Sequence, residues 1–157
     1  MRVSRGFIVL AAVALLGVAC EDDATGIPAG LEVYTATLTG ANERPTPVTT
    51  TATGHAVVTI LGDSLISFEV VIDSPIDSIT AGHIHRFNPD TGFGGVVLFL
   101  IPNGTPPGPL DFTGTVAIGS ATPVDSIFDI IRDGRAYVNI HTKVNGGGEI
   151  RGNLVKQ

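Results

Sequence analysis

The stretch His55–Ile72, HAVVTILGDSLISFEVVI, decides the fold class. Apolar residues recur there at every second position, namely Ala56, Val58 and Ile60, and then Ile66, Phe68, Val70 and Ile72. A period of two is typical of a β-strand that buries one face. Gly62 and Asp63, between the two runs, favour a tight turn. The stretch therefore predicts two antiparallel strands joined in a hairpin.

Short segments of the same kind fill most of the remaining chain. They are LEVYTATLTG, DSITAGHIHRF, GVVLFLI, DFTGTVAI, RAYVNIHT and GEIRGNLV, with turn-forming segments such as NPDTGF and PNGTPPGP between them. The segment TPVDSIFDIIRDGR differs, because Val124, Ile127, Phe128 and Ile131 recur at helical spacing after a Thr122 cap and Pro123. We expect an all-β domain, an antiparallel Greek-key sandwich or barrel of about eight strands with one short helix.

The N-terminal segment has the character of an export signal. Arg2 and Arg5 precede an apolar run, FIVLAAVALLGVA, which is short for a membrane span and ends at Cys20, the single cysteine. This order resembles a bacterial lipoprotein signal, so we expect residues 1–19 to be a signal peptide and Cys20 to be lipidated. An ordinary cleaved signal or a short anchor helix are the alternatives.

The acidic segment EDDATGIPAG that follows Cys20 predicts a solvated tether over residues 20–30, with the folded domain in residues 31–157. These features predict an exported protein that is anchored by lipid at the cell envelope, on the periplasmic face or the cell surface. Its expected partners are the membrane, through the lipid, and an envelope protein or glycan.

Charge and motifs exclude several classes of function. Loss of residues 1–19 leaves seven Lys and Arg against 15 Asp and Glu, so the net charge moves from −6 to −8. Such a chain is a poor partner for nucleic acid, whose phosphates need clustered basic residues. The sequence contains neither a glycine-rich phosphate loop between strand and helix nor a G-x-S-x-G motif. Phosphate-ester and serine-hydrolase chemistry therefore lack support, and no catalytic residue is assigned.

Three of the four histidines form the most informative pattern. His83 and His85 lie two residues apart and share one face of a predicted strand, as do Tyr137, Asn139 and His141 on a later strand. If the two strands are close, His83, His85 and His141 form a candidate copper or zinc site. The alternative is that these histidines make hydrogen bonds that fix loops. His55 begins its strand alone and is interpreted as a structural or surface residue.

Further polar residues are candidates for contacts around such a metal site. Glu43, Asn139, Glu149 and Arg151 are the candidates, because a ligating imidazole needs its other nitrogen oriented by an acceptor. The alternatives are that Glu43 fastens a loop and that Glu149 and Arg151 pair with neighbours across the sheet. Asp90 lies in the turn sequence NPDTG and is interpreted as a turn residue.

Four stretches carry a family resemblance from Tyr34 to Val155. They are LTGANERPTPV, AGHIHRFNPDTGFGGVV, DGRAYVNIHT and GGGEIRGNL, and in this order they resemble the CHRD domain, a module first named for repeats in chordin. The bacterial members with this resemblance are exported proteins. The resemblance itself implies little about function. We expect a binding or structural role at the envelope, because the sequence has the features of export and anchoring and no complete catalytic set.

A more distant likeness concerns the histidines alone. The GHIH and GRAYVNIHTK strands are similar in type and order to the copper-ligand strands of copper/zinc superoxide dismutases. The likeness implies copper at His83, His85 and His141, and puts Arg151 where a substrate-guiding arginine is expected. Between HIHRF and GVVLF the chain has no further histidines for a zinc subsite and no cysteine pair. Either a reduced, mononuclear metal site or a fold inherited without the metal remains open, and so does any enzymatic activity.

Overall fold

A computed structural model describes residues 30–74, 76, 78–101, 111–117 and 127–157. Several predicted features lie outside the described residues. They are the signal peptide, the expected lipidation of Cys20, residues 20–29 of the tether, the PNGTPPGP loop, and the helix start at Thr122, Pro123 and Val124. Within the part that is described, no helix has both the length and the apolar character needed to cross a membrane.

The all-β prediction is confirmed. The described residues form nine strands: β1 Leu31–Thr39, β2 Thr53–Leu61, β3 Leu65–Ile72, β4 Ile79–Arg86, β5 Val96–Ile101, β6 Asp111–Ala117, β7 Ala136–Thr142, β8 Ile150–Asn153 and β9 Val155–Lys156. The helix α1, Ile127–Arg132, lies within the segment predicted to be helical, and a single 3-10 turn covers Gly40–Asn42. The predicted last strand is present as two short strands, β8 and β9.

One antiparallel sheet contains all of these strands and curls into a nearly closed barrel. The strand order is β5–β4–β7–β8–β1–β2–β3–β6, and β9 pairs with β1. In this order β3 and β4 lie near opposite ends of the sheet, and so do β5 and β6. The chain therefore crosses between the two ends of the sheet, as in Greek-key folds. These crossings pair β4 with β7, two strands that are far apart in the sequence.

The hairpin predicted from His55–Ile72 is present. Leu61 pairs with Leu65 across the turn, and Gly62 adopts a φ of 59°, a value that favours glycine. The predicted buried positions of β2 and β3 all belong to the core. Alternate residues of β1 and the apolar residues of α1 join them there, namely Tyr34, Ala36, Leu38, Ile127, Phe128, Ile130 and Ile131. Burial of these alternate apolar side chains stabilises the barrel.

The strands β4, β7 and β8 place the candidate site on the outside of the barrel. On the inner face, Ile84 lies opposite Val138. On the outer face, His83 lies opposite Asn139, which in turn lies opposite Arg151 of β8. Every residue of β7 is buried, on both faces. The outer face is therefore covered by loops, and the polar residues on it are buried.

Candidate functional site

The structure brings His83, His85 and His141 together. One ring nitrogen from each residue lies within 4.8 Å of those of the other two, and all three side chains are buried. The closeness follows from pairing of β4 with β7, because Ala81 lies opposite His141 and puts His83 one diagonal step away. The convergence that the sequence could only assume is present, while metal binding stays a prediction.

Backbone carbonyls orient two of the three rings. His85 donates from Nδ1 to the carbonyl of Gly94 over 3.0 Å, and His141 donates from Nδ1 to the carbonyl of Gly146 over 3.1 Å. A carbonyl oxygen can only accept, so each ring carries its proton on Nδ1 and keeps the lone pair on Nε2. These bonds leave Nε2 of both residues available to a metal ion.

The lone pairs face the interior of the cluster. His141 Nε2 lies 3.1 Å from Nδ1 of His83, which therefore donates to it in the metal-free arrangement. The Nε2 atom of His85 is buried and has no hydrogen-bond partner among the described residues. A buried acceptor without a partner is uncommon and costs free energy, so this atom marks a place where a donor or a cation fits.

Burial also sets the charge of the rings. It lowers the pKa of His85 from 6.5 to about 4, with the charges of His141, His83 and Arg151 acting in the same direction. Burial lowers the pKa of His141 as well. Both rings are therefore neutral at pH 7, which is the form that binds metal ions.

A cleft of about 340 Å³ lies over the cluster and is lined by the three histidines, Thr80, Ala81, Val96 and Gly146. Phe99 stands beside it, with its ring edge-on to His83 at 5.0 Å between centroids. Phe99 is 55% exposed, so the cluster is only a side chain's depth from solvent. An ion can therefore reach the histidines without opening of the barrel.

Asn139 and Glu43 lie on the other side of His85. Asn139 donates from Nδ2 to Oε2 of Glu43 over 3.4 Å, while Glu43 Oε1 and Asn139 Oδ1 are buried without a partner among the described residues. Burial raises the pKa of Glu43 to about 7, against the opposing effects of Arg151 and Asn139. Both residues line a cleft of about 420 Å³ that His85 also lines. Glu43 thus lies beside the histidine cluster and is not one of its three members.

Arg151 contacts the cluster through an aromatic stack. The rings of His85 and Tyr137 lie 5.0 Å apart and are nearly parallel, at 9°. The Arg151 guanidinium carbon lies 3.5 Å from the centre of the Tyr137 ring. Because β7 runs between β4 and β8, Tyr137 is held between the other two side chains. Arg151 therefore supports His85 through the Tyr137 ring, which contacts both side chains.

Glu149 and His55 have separate contacts. The Glu149 carboxylate accepts hydrogen bonds from Thr50, Thr142 and Asn145, and so ties two loops together. Burial alone would raise the Glu149 pKa, but these hydrogen bonds outweigh it and lower the pKa. His55 lies on the surface, with Nδ1 3.1 Å from the Asp73 carboxylate, and is not a member of the cluster. The structure thus groups Asn139, Glu43 and Arg151 around the histidines, and not Glu149.

The sequence did not reveal three contributors to the site. The carbonyls of Gly94 and Gly146 orient the rings, and Phe99 packs edge-on against His83. Backbone carbonyls carry no side-chain signature, so only the glycine-rich composition of the two loops hinted at close approach. Phe99 belongs to an apolar run, where its exposure could not be foreseen.

Comparisons with known proteins give one result. The family model described as CHRD domain matches residues 34–154, which is most of the chain. No curated protein and no solved structure matches the chain. The matched range begins in β1, ends between β8 and β9, and contains all three clustered histidines. On this match, the chain belongs to the CHRD domain family.

Proposed function

We propose that this domain binds a transition-metal ion, copper or zinc, at His83, His85 and His141. One observation carries the proposal: three buried imidazoles each offer a ring nitrogen, and these nitrogens lie within 4.8 Å of one another. Three neutral imidazoles are a donor set that suits both ions. No residue is assigned to an enzymatic reaction, so the proposed activity is metal binding.

The hydrogen bonds support a ligand role better than a purely structural one. A histidine that only fixes a loop needs the carbonyl bond at Nδ1, and the Gly94 and Gly146 carbonyls supply it. Such a role leaves His85 Nε2 buried and without a partner among the described residues, at a cost in free energy. A bound cation would remove that cost. His83 would shift its proton from Nδ1 to Nε2 to free a third lone pair.

Metal analysis of the full chain, purified without a histidine tag, tests this proposal. We expect about one equivalent of copper or zinc after loading and removal of excess metal, because neutral imidazoles at this spacing compete well for either ion. His141→Ala should abolish the uptake. His55→Ala removes a surface histidine instead and should leave it unchanged. Less than about a tenth of an equivalent in the native chain would rule out the site.

We also propose that the domain works outside the cytoplasm, anchored by lipid on Cys20 as an envelope module. The support is the order of Arg2, Arg5, the apolar run and Cys20, followed by the acidic tether. Labelling of cells with a radioactive fatty acid tests the anchor. The label should be lost in Cys20→Ser, and an unlabelled native chain would contradict it.

A second candidate function is recognition of an envelope partner by the domain's surface. The exposed side chains of Phe93 and Phe99, 41% and 55% exposed, favour it because large apolar side chains on a surface often mark contact sites. Crosslinking in intact cells should then give adducts from positions beside these residues. Adducts equally frequent around His55 would contradict a specific surface.

A further inference from the structure

A third cleft lies on the outer face of β1 and β8, and no histidine is among the described residues that line it. It has a volume of about 680 Å³, within the range of small-molecule sites, and shares no lining residue with the cleft over the histidine cluster. Arg44 and Arg151 line it, along with the amides of Asn42 and Asn153 and the hydroxyls of Thr35 and Thr37. Phe87 supplies an apolar wall.

The charge of this cleft is opposite to that of the chain. The chain carries 15 acidic residues against nine basic ones, yet no Asp or Glu side chain is among the described residues that line the cleft. Arg44 donates to the backbone carbonyls of Ala41 and Glu43, and Arg151 donates to the amide oxygen of Asn153. Among the described residues, neither arginine forms an ion pair.

Arg151 is buried without an ion pair to any of the described residues. Its side chain is 3% exposed, and a buried guanidinium is normally paired with an acid. Its side chain contacts the face of the Tyr137 ring and makes one hydrogen bond of 3.4 Å, which leaves most of its five N–H groups without an acceptor among the described residues. Glu43 is near enough to act on Arg151 electrostatically but makes no ion pair with it.

We propose that this cleft binds an acidic saccharide, with the sugar carboxylate at Arg44 and Arg151. A guanidinium matches a planar carboxylate by paired N–H donors. The amide and hydroxyl side chains of Asn42, Asn153 and Thr37 suit sugar hydroxyls, since each can both donate and accept. Phe87 suits the apolar face of a sugar ring. Neither Phe93 nor Phe99 lines this cleft, so the inference is separate from the second candidate function, and it does not depend on metal at the histidines.

The first test is calorimetric titration of the full chain with glucuronate, in the presence of a chelator so that the outcome is independent of metal. Glucuronate should bind saturably, and glucose, the matched neutral sugar, should bind at least about tenfold more weakly, because it lacks the charged group. Equal binding of glucose, or none of either, would overturn the proposal. Tighter binding of glucose 6-phosphate than of glucuronate would overturn the carboxylate assignment.

Variants locate the site. Arg44→Gln should weaken glucuronate binding at least about tenfold, since it removes a charged donor pair from an exposed side chain and leaves the core intact. Arg135→Gln removes the same charge from a surface pair with Asp133 and should leave binding unchanged. Arg151→Gln carries a risk of misfolding, so Arg44→Gln is decisive. Native affinity in Arg44→Gln would overturn the proposal.

Discussion

The two faces of β4, β7 and β8 are both buried, but in different ways. On the inner face, Ile84, Val138, Ile140 and Ile150 are fully buried among apolar side chains. On the outer face, His85 and Asn139 are almost as deeply buried, yet each keeps a polar atom without a partner among the described residues. A folded chain rarely tolerates such atoms without a use for them. The inner face thus accounts for stability, while the outer face carries the residues of the proposed metal site.

A cavity on the inner face should have the largest effect on stability. Ile140→Ala should lower the free energy of unfolding by about 2–5 kcal/mol, because the core cannot fill the space. Val144→Ala, at a position 77% exposed, should change it by less than about 0.5 kcal/mol. Urea denaturation measures both. Similar values for the two variants would remove the distinction between core and surface.

Loss of a ligand on the outer face should act on metal binding instead. His141→Ala should weaken copper or zinc binding by more than about a hundredfold, beyond the effect of residues that only orient ligands. In the metal-free chain it should cost less stability than Ile140→Ala. Competition with a chromophoric chelator measures the affinity, with His55→Ala as control. Unchanged affinity in His141→Ala would show that the ion binds elsewhere.

Two neighbouring glycines of one loop test how closely the outer face is packed. Gly148 has a φ of 136°, and an added Cβ would lie 2.7 Å from Glu43 Oε1 and 2.5 Å from Asn139 Nδ2. Gly148→Ala should therefore cost about 1–3 kcal/mol. Gly147→Ala meets no atom within 4 Å and should be nearly neutral. Thermal unfolding distinguishes them, and equal melting temperatures would contradict the close packing of the outer face.

The smallest predicted effect is the change in stability of the metal-free chain with pH. The pKa of Glu43 is raised from 4.5 to about 7, so the folded state holds its proton more tightly and stability falls as pH rises through that range. The pKa of His85 is lowered from 6.5 to about 4, so its contribution is lost as pH falls through that range.

Glu43→Gln separates the two contributions. The variant should still lose stability on acidification, through His85. As the pH rises from 4.5 to 7, the native chain should lose stability through Glu43, and the variant should not. Urea denaturation of both proteins at several pH values gives the difference. The variant should become more stable than the native chain as the pH rises. If the difference in their free energies of unfolding stays constant, a buried Glu43 that binds a proton would be contradicted.

The sequence predicted the strands, the hairpin and the shared face of His83 and His85, because each follows from alternation along a short segment. It could not show that β4 pairs with β7, since the side chains of His83 and His141 meet through a pairing between distant segments. It also could not show that Gly94 and Gly146 present their carbonyls to the rings, because loop backbone geometry depends on the packed structure. The residues of the site were foreseeable, while its burial and orientation were not.

The most direct test of the central claim is a crystal structure of the zinc-loaded chain with anomalous data at the zinc edge. We expect a single strong peak about 2.0–2.1 Å from His83 Nδ1, His85 Nε2 and His141 Nε2. The absence of a peak among these rings after loading, or a stronger one at His55, would contradict it.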